Sequence, residues 1–390
     1  MQSREVEQGT EQKVEQGIDR VINQLKNYDG NLVTLMEVCG SHTAAIAKNG
    51  IPSIISEKIR LVSGPGCPVC VTPTAYIDRL IELAKKPDSC VVTFGDLLRV
   101  PGSRESLNEA KLEGAKVHMV YSPMDTIKLA KEHPEIHYIF AAVGFETTTP
   151  IYALLIEQLL AQHVENVQIL TALKTMPEAI DWLMSHGAKV DGFLAPGHVC
   201  AVTGSDAFAP VASRYQEPMA VAGFQAEELL VAIYGLVYQV EKLRKDKLHT
   251  DMHIVKEQDA KRSAEIYDEN RGAEWVLNYY PSVVTSEGNL MAQEKVDTYF
   301  EKCDATWRGM GNIPNSGKVL KPEYLRFDAG SRNLTEDHKK NQGCCCDQVL
   351  MGKIEPQNCP LFGKACTPQN PQGACMVSAE GSCATRYSIS

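Results

Sequence analysis

The sequence predicts an α/β fold: two parallel-sheet lobes facing a cleft, followed by a small, loop-rich, cysteine-dense C-terminal domain. Three observations predict it. Apolar runs of strand length alternate with helix-forming segments from about residue 14 to residue 243, and strands apolar on both faces belong to parallel sheets covered by helices. A chain of 390 residues is too long for one core. The composition changes abruptly at Gly343, beyond which seven of the 13 cysteines lie among proline and glycine turns. The expected domains are 1–115, a first lobe; 116–240, a second lobe; and 241–390, a helical linker with the cysteine-rich segment.

Taken in order, Val14, Ile18, Val21, Ile22 and Leu25 recur at helical spacing. Leu32 to Val38 is an apolar run of strand length that ends in the loop Cys39-Gly40-Ser41-His42-Thr43, and a helix follows from Ala44 to Lys48. The pattern repeats. Ile59 to Ser63 enters a loop left by the helix Pro73 to Lys85, and Cys90 to Phe94 enters Gly95-Asp96-Leu97-Leu98-Arg99. Val117 to Tyr121 precedes a helix capped by Ser122 and Pro123, and His137 to Val143 runs into Gly144-Phe145-Glu146-Thr147-Thr148-Thr149. Val167 to Leu173, Gly192 to Ala195 and Met219 to Ala222 supply further strands, the last followed by a long helix to about Leu243. Lys242 to Lys261 is charge-rich and reads as a solvated helix or linker.

Every unusual loop follows a strand. In open parallel sheets ligands bind beyond the carboxyl ends of the strands, so Cys39, Cys67, Cys70, Glu146 and His198 are expected to converge. The stiffest of these loops is Gly64-Pro65-Gly66-Cys67-Pro68-Val69-Cys70, in which two prolines end regular structure and a C-x-x-C pair sets two sulfurs close together. Such a pair either binds a soft metal or closes a disulfide, and spacing alone leaves both open.

Composition narrows the function classes. A net charge of -10 with pI near 5.6 argues against a nucleic-acid partner. No apolar run is long enough to cross a bilayer, and the start Met1-Gln2-Ser3-Arg4-Glu5 lacks the basic-then-apolar order of a signal peptide, which places the protein in the cytoplasm. Thiols stay reduced there, so 13 cysteines point to metal or redox chemistry. No histidine lies beyond His338, which leaves an all-thiolate site for the tail, either zinc or an iron–sulfur cluster.

The motifs Cys39-Gly40-Ser41-His42-Thr43, Gly64 to Cys70, Phe94-Gly95-Asp96, Gly144 to Thr148, Pro196-Gly197-His198-Val199, Cys359-Pro360-Leu361-Phe362-Gly363 and Cys375 to Gly381 occur in an order that resembles the HypD family of nickel–iron hydrogenase maturation factors. The resemblance covers nearly the whole chain beyond about residue 20. It implies two α/β domains plus a C-terminal 4Fe-4S domain, and a scaffold that works with the small protein HypC. On it, iron destined for the hydrogenase large subunit receives cyanide and carbonyl ligands, with HypE as the cyanide donor.

It also implies roles for residues. Iron carrying cyanide and carbonyl is soft and electron-rich, for which thiolates of Cys39, Cys67 and Cys70 are fitting ligands. His42 either donates a hydrogen bond to an anion, orients Cys39 or is an ordinary buried polar group; His198 has the same readings. Glu146 either moves a proton or merely precedes a threonine-capped helix, and Asp96 with Arg99 is expected to form an ion pair lining the cleft. In the tail, Cys344, Cys359, Cys366 and Cys383 are the expected cluster ligands, with Cys346 and Cys375 as a redox pair. The family pattern there has C-x-C-Gly where this chain has Cys344-Cys345-Cys346-Asp347, so Cys345 or Cys346 could replace Cys344. Cys90, Cys200 and Cys303 match no metal spacing and read as structural. Whether the scaffold is itself an enzyme stays open. Two rival classes are an iron–sulfur thiol–disulfide oxidoreductase acting on protein clients and a zinc-stapled binding module.

Overall fold

The computed structural model describes residues 17–253, 275–338 and 341–389; the charged stretch past His253 and Val14 of the first helix lie outside them. Eleven strands are described: β1 Val33–Glu37, β2 Ile59–Ser63, β3 Ser89–Thr93, β4 Val117–Met119, β5 His137–Gly144, β6 Val167–Lys174, β7 Gly192–Pro196, β8 Met219–Ala222, β9 Val276–Asn278, β10 Phe300–Trp307 and β11 Gly311–Leu320. One sheet is parallel throughout, in the order β2-β1-β7-β8-β9. The other has the order β10-β11-β6-β5-β3-β4, with β3 to β6 parallel and the β10–β11 hairpin antiparallel along the edge of β6. Among the described residues no helix is long and apolar enough to cross a membrane.

The cuts expected at residues 115 and 240 do not separate these sheets. The first sheet takes β1 and β2 near the start of the chain and β7, β8 and β9 from beyond residue 190. The chain crosses to the second sheet after β2, returns at β7 and crosses again after β9. Helical crossovers, rather than order along the chain, decide which parallel strands pair, and composition carries no mark of that choice. The consequence is functional. The loops after β1, β2, β7 and β8 all open at the carboxyl edge of one sheet, whereas the Glu146 loop opens from the other.

Two loops expected to be irregular begin helices. Cys39 is the N-cap of α1 (Gly40–Lys48), and Pro196 that of α2 (Gly197–Thr203), so His42 and His198 each sit in a first helical turn. Glycine in a first turn does not prevent helix initiation, and here it permits close packing: a Cβ on Gly197 would overlap the Ala222 carbonyl oxygen. The hairpin was not legible as strand, because its polar residues mask the alternation of buried and exposed positions.

The tail has no apolar core of its own. Cys344, Cys346, Cys366, Cys375 and Cys383 belong to one buried cluster that also holds Met36 and Val38 of the first sheet's β1 region, Cys67 and Cys70, and Trp307 of the hairpin. Trp307 is the largest fully buried side chain; its Nε1 donates to Ser316 Oγ at 2.8 Å, and its ring stacks on Phe145 with centroids 5.9 Å apart. Trp307→Ala is expected to cost about 3–5 kcal/mol in denaturant unfolding. A loss below about 1 kcal/mol would show that the hairpin contributes little to the core.

Candidate functional site

The Cys39 and Cys67 loops meet through their backbones. Gly64 N–H donates to Glu37 O (2.8 Å), Gly40 N–H donates to Gly66 O (2.9 Å), and a Cβ on Gly66 would overlap the Cys39 nitrogen and Cα. Only glycine allows this approach. Neighbouring parallel strands β1 and β2 thus deliver Cys39 and the C-x-x-C loop to the same place. Cys67 and Cys70 are joined as a disulfide, with Cα atoms 5.2 Å apart, and are 3% and 0% exposed. In that state neither sulfur is a thiolate ligand.

The tail closes over this site. Ser41 Oγ donates to Glu380 Oε1 at 2.6 Å, and the Gly40 Cα faces Glu380 so closely that a Cβ there would lie 2.7 Å from the Glu380 Cβ. Cys39 is 8% exposed. Burial pushes its thiol up to about 11, the Glu380 carboxylate adds to the rise, and the backbone amides of His42 and Ser41 oppose it. A bound cation would favour the thiolate in the opposite sense. Cys70 Sγ lies 3.8 Å from Ala374 O, one residue before Cys375, which sets the loop beside the tail thiols.

The two histidines differ. His42 is fully buried with Nε2 at 3.1 and 3.0 Å from the Ala222 and Gly223 carbonyl oxygens, so Nε2 carries the proton and donates to both. Burial holds it neutral, lowered to about 4. Of the readings open to it, donation to an anion is therefore excluded in this tautomer; its Nδ1 is a buried acceptor with no partner. His198 is exposed and stacks on Phe224 with ring centroids 4.0 Å apart, a position at the rim of the site.

Glu146 comes from the other sheet. Its Oε1 accepts from the Met176 N–H (2.8 Å), and its Oε2 has no partner. Burial raises it to about 7, and nearby Glu178 adds to the rise. Cys200, read from the sequence as structural, is fully buried where both Glu146 and Cys39 raise its thiol further beyond the effect of burial. It therefore lies between the two sheets' contributions. No sequence spacing marks it, because α2 brings it there. The ion pair expected for Asp96 and Arg99 does not form: Asp96 Oδ2 accepts from Ser378 Oγ (3.1 Å), and Arg99 donates to the Pro368 and Val377 carbonyls. Both side chains instead hold the tail, whose extended loops offer unpaired carbonyls and hydroxyls.

Among the tail cysteines, Cys344, Cys346, Cys359, Cys366, Cys375 and Cys383 are buried. Cys346 neighbours Cys344 and Cys375, Cys375 also meets Cys383 at 3.3 Å between sulfurs, and Cys345 lies beside Cys359. Cys366 Sγ accepts the Gln372 N–H at 3.3 Å. A Cβ on Gly373 would lie 2.6 Å from Cys344 Sγ, so glycine leaves the space around that sulfur open. Among the described residues no three His, Cys, Asp or Glu side chains are arranged around a single metal ion. A four-iron cluster has a different requirement, one thiolate on each of separate irons, and the all-thiol donor set with its glycine cradle fits that group.

Arg308 is a residue that sequence reasoning missed. The residue is 9% exposed, its Nε donates to Thr72 O (2.6 Å) and its Nη2 to Pro101 O (3.0 Å), and its backbone N–H donates to Val71 O (2.8 Å). Next to it, a Cβ on Gly309 would lie 2.5 Å from the Asp347 Cβ, beside Cys346. The arginine thus fastens the end of the C-x-x-C loop to the hairpin, whose Gly309 packs on the thiol-rich tail. Burial lowers its basicity, while Asp337, Cys346, Cys375 and Cys344 favour its charge. The only hint in the sequence was the run Trp307-Arg308-Gly309.

Comparison with known proteins agrees with the motifs. The model of the HypD family, described as "Hydrogenase formation hypA family", matches residues 12–275 and 264–390. The chain is 40% identical over 367 residues to the hydrogenase maturation factor HypD of Azotobacter vinelandii, covering 90% of this chain and 88% of that protein. It is also 40% identical over 357 residues to HypD of Escherichia coli (strain K12), with the same coverage. A putative hydrogenase expression/formation protein of Methanocaldococcus jannaschii is 36% identical over 376 residues, covering 96% of both chains.

Glu146 gives the site a pH dependence. Its carboxyl holds a proton more tightly folded (about 7) than unfolded (4.5), so its contribution to stability is full below about pH 4.5 and is lost as pH rises to about 7. Unfolding of Glu146→Gln should therefore shift in the variant's favour, relative to the parent, by on the order of 3 kcal/mol across that interval. A difference that does not change with pH would mean that Glu146 is ionised in the folded protein.

Proposed function

Because this chain belongs to the HypD family of hydrogenase maturation factors, we propose that it is a scaffold that, with HypC, holds iron while the cyanide and carbonyl ligands of the nickel–iron site are installed. The observation that carries this reading is the backbone contact between the Cys39 and Cys67 loops at the carboxyl edge of one parallel sheet. Ferrous iron is the cargo. Cys39, with Cys67 and Cys70 once their disulfide is reduced, would bind it through sulfur, and a cysteine of HypC would complete the site. His198 at the rim and the amide-rich first turns of α1 and α2 favour entry of an anion such as cyanide, with HypE docking there and the hydrogenase large subunit receiving the product.

Cys344, Cys359, Cys366 and Cys383 would hold a 4Fe-4S cluster, which when bound supplies electrons one at a time. Cys346 and Cys375 are the redox pair of this reading. Attack of a Cys375 thiolate on the Cys67–Cys70 disulfide, followed by closure of Cys346 onto Cys375, would release two loop thiols and leave one tail disulfide; two electrons and two protons pass from tail to loop. The 3.8 Å approach of Cys70 Sγ to Ala374 O sets that disulfide beside the Cys375 segment. Glu146, protonated up to about pH 7, would hold a proton near Cys200 and Cys39.

The rival reading, a reductase of protein clients, gains from the recorded Cys67–Cys70 disulfide. It loses more from burial, since the pair is no more than 3% exposed and a client's disulfide would have to reach both sulfurs. Purified anaerobically with HypC, the protein should be brown and show infrared bands of iron-bound cyanide and carbonyl. Cys39→Ala, Cys67→Ala and Cys70→Ala should each lose those bands while keeping the brown colour. Persistence of the bands would remove that cysteine from the iron site, and a colourless zinc-containing preparation would overturn the cluster.

A further inference from the structure

A second polar recess lies away from the cysteines, where the end of β6 meets the β10–β11 hairpin. It encloses about 440 Å³, within the range of small-molecule sites, and its walls include Lys174, Thr171, Thr306, Cys303 and Arg332. Lys174 is the unusual member. It is 2% exposed, and its Nζ donates to Thr306 O at 2.6 Å and lies 5.4 Å from the centre of the Trp307 ring. An ammonium has three donors, and no carboxylate of the described residues is within ion-pair distance of this one. The other cations of the wall are already paired: Lys302 with Glu178, Lys318 with Asp297 and Arg332 with Glu301.

Two further groups share the recess. The hydroxyls of Thr171 and Thr306 are buried and have no hydrogen-bond partner in the protein. The carboxylate on the wall, Asp304, accepts from the Asn315 N–H through Oδ1, and Asp337 accepts from the Thr74 and Gly309 N–H groups. Buried polar groups are nearly always satisfied, and an unpaired buried ammonium beside two free hydroxyls is costly unless something of opposite charge meets them.

We propose that this recess binds a small oxyanion, a carboxylate or phosphate group of a small molecule, with Lys174 as its counter-charge and the Thr171 and Thr306 hydroxyls as further donors. A cation is disfavoured by the lysines and arginine of the wall. The site is linked to the thiol site through one aromatic contact, since the Trp307 ring beneath Lys174 stacks on Phe145, the neighbour of Glu146. Burial lowers Lys174 to about 7, with Cys303 and Asp337 opposing that shift and Asp304, Lys302, Lys318 and Arg332 the remaining charges of the wall. The ammonium is therefore the major form only below that pH, and an anion should bind more tightly there.

The full-length protein would be titrated with sulfate and, separately, acetate, a tetrahedral and a planar oxyanion of constant charge from pH 6 to pH 8. Calorimetry and tryptophan fluorescence would follow binding at low ionic strength. Saturable binding of at least one probe, at least several-fold tighter at pH 6 than at pH 8, is expected; sulfate alone would indicate a phosphate ligand, acetate alone a carboxylate. Lys174→Met, which keeps the buried volume, should weaken binding at least tenfold, and Thr171→Val several-fold, with melting temperatures close to the parent's. Absence of saturable binding, or equal binding by a folded Lys174→Met protein, would overturn the proposal.

Discussion

One main-chain contact organises the molecule: the Gly40 N–H on the Gly66 carbonyl, with Gly66 pressed on Cys39 so closely that no side chain fits between them. It is a consequence of parallel pairing. Because β1 and β2 run side by side in register from Val33 opposite Ile59 to Glu37 opposite Ser63, the residues just beyond them must also lie side by side. The Gly64-Pro65-Gly66 segment lets the second loop turn inward at that point. A lone cysteine and a C-x-x-C pair, separated by 27 residues or more in the chain, become neighbours without any direct bond between their side chains.

The tail depends on the same contact. A segment with no apolar core of its own is held where it can reach buried partners, and those partners are the two loops and the hairpin: Glu380 on Gly40 and Ser41, Ala374 against Cys70, and Asp347 against Gly309. Thiol-rich tail and the two cysteine loops are therefore one packed unit. In a close-packed interior a change in the bonding of one side chain is felt by its neighbours, so the loop disulfide and the tail cysteines share one packing environment.

Much of this was legible in the sequence. Strand-then-loop alternation gave the fold class, and of the five residues expected to converge at carboxyl strand ends, the loops of Cys39 and of Cys67 and Cys70 meet, whereas Glu146 comes from the other sheet. Pairing across the chain was not legible, because β7 joins β1 through choices made by crossover helices, and so the linear domain cuts failed to follow the sheets. Arg308 was missed for a related reason: a buried guanidinium acquires meaning from what surrounds it, and nothing in its local spacing states it. His42 illustrates the limit in the other direction. Its motif left open an anion donor, a group orienting Cys39 or an ordinary buried polar group, and its Nε2 is committed to the Ala222 and Gly223 carbonyls.

The claim underlying all of this is that the sulfurs of the two loops lie within bonding reach of each other. Replacing Cys70 by serine frees Cys67 from its partner, and mild oxidation of that variant followed by peptide mapping reads the distance directly. A Cys39–Cys67 disulfide as the main product is the expected result. Recovery of Cys39 and Cys67 as free thiols, or joined to other cysteines, in a folded protein would contradict the shared site.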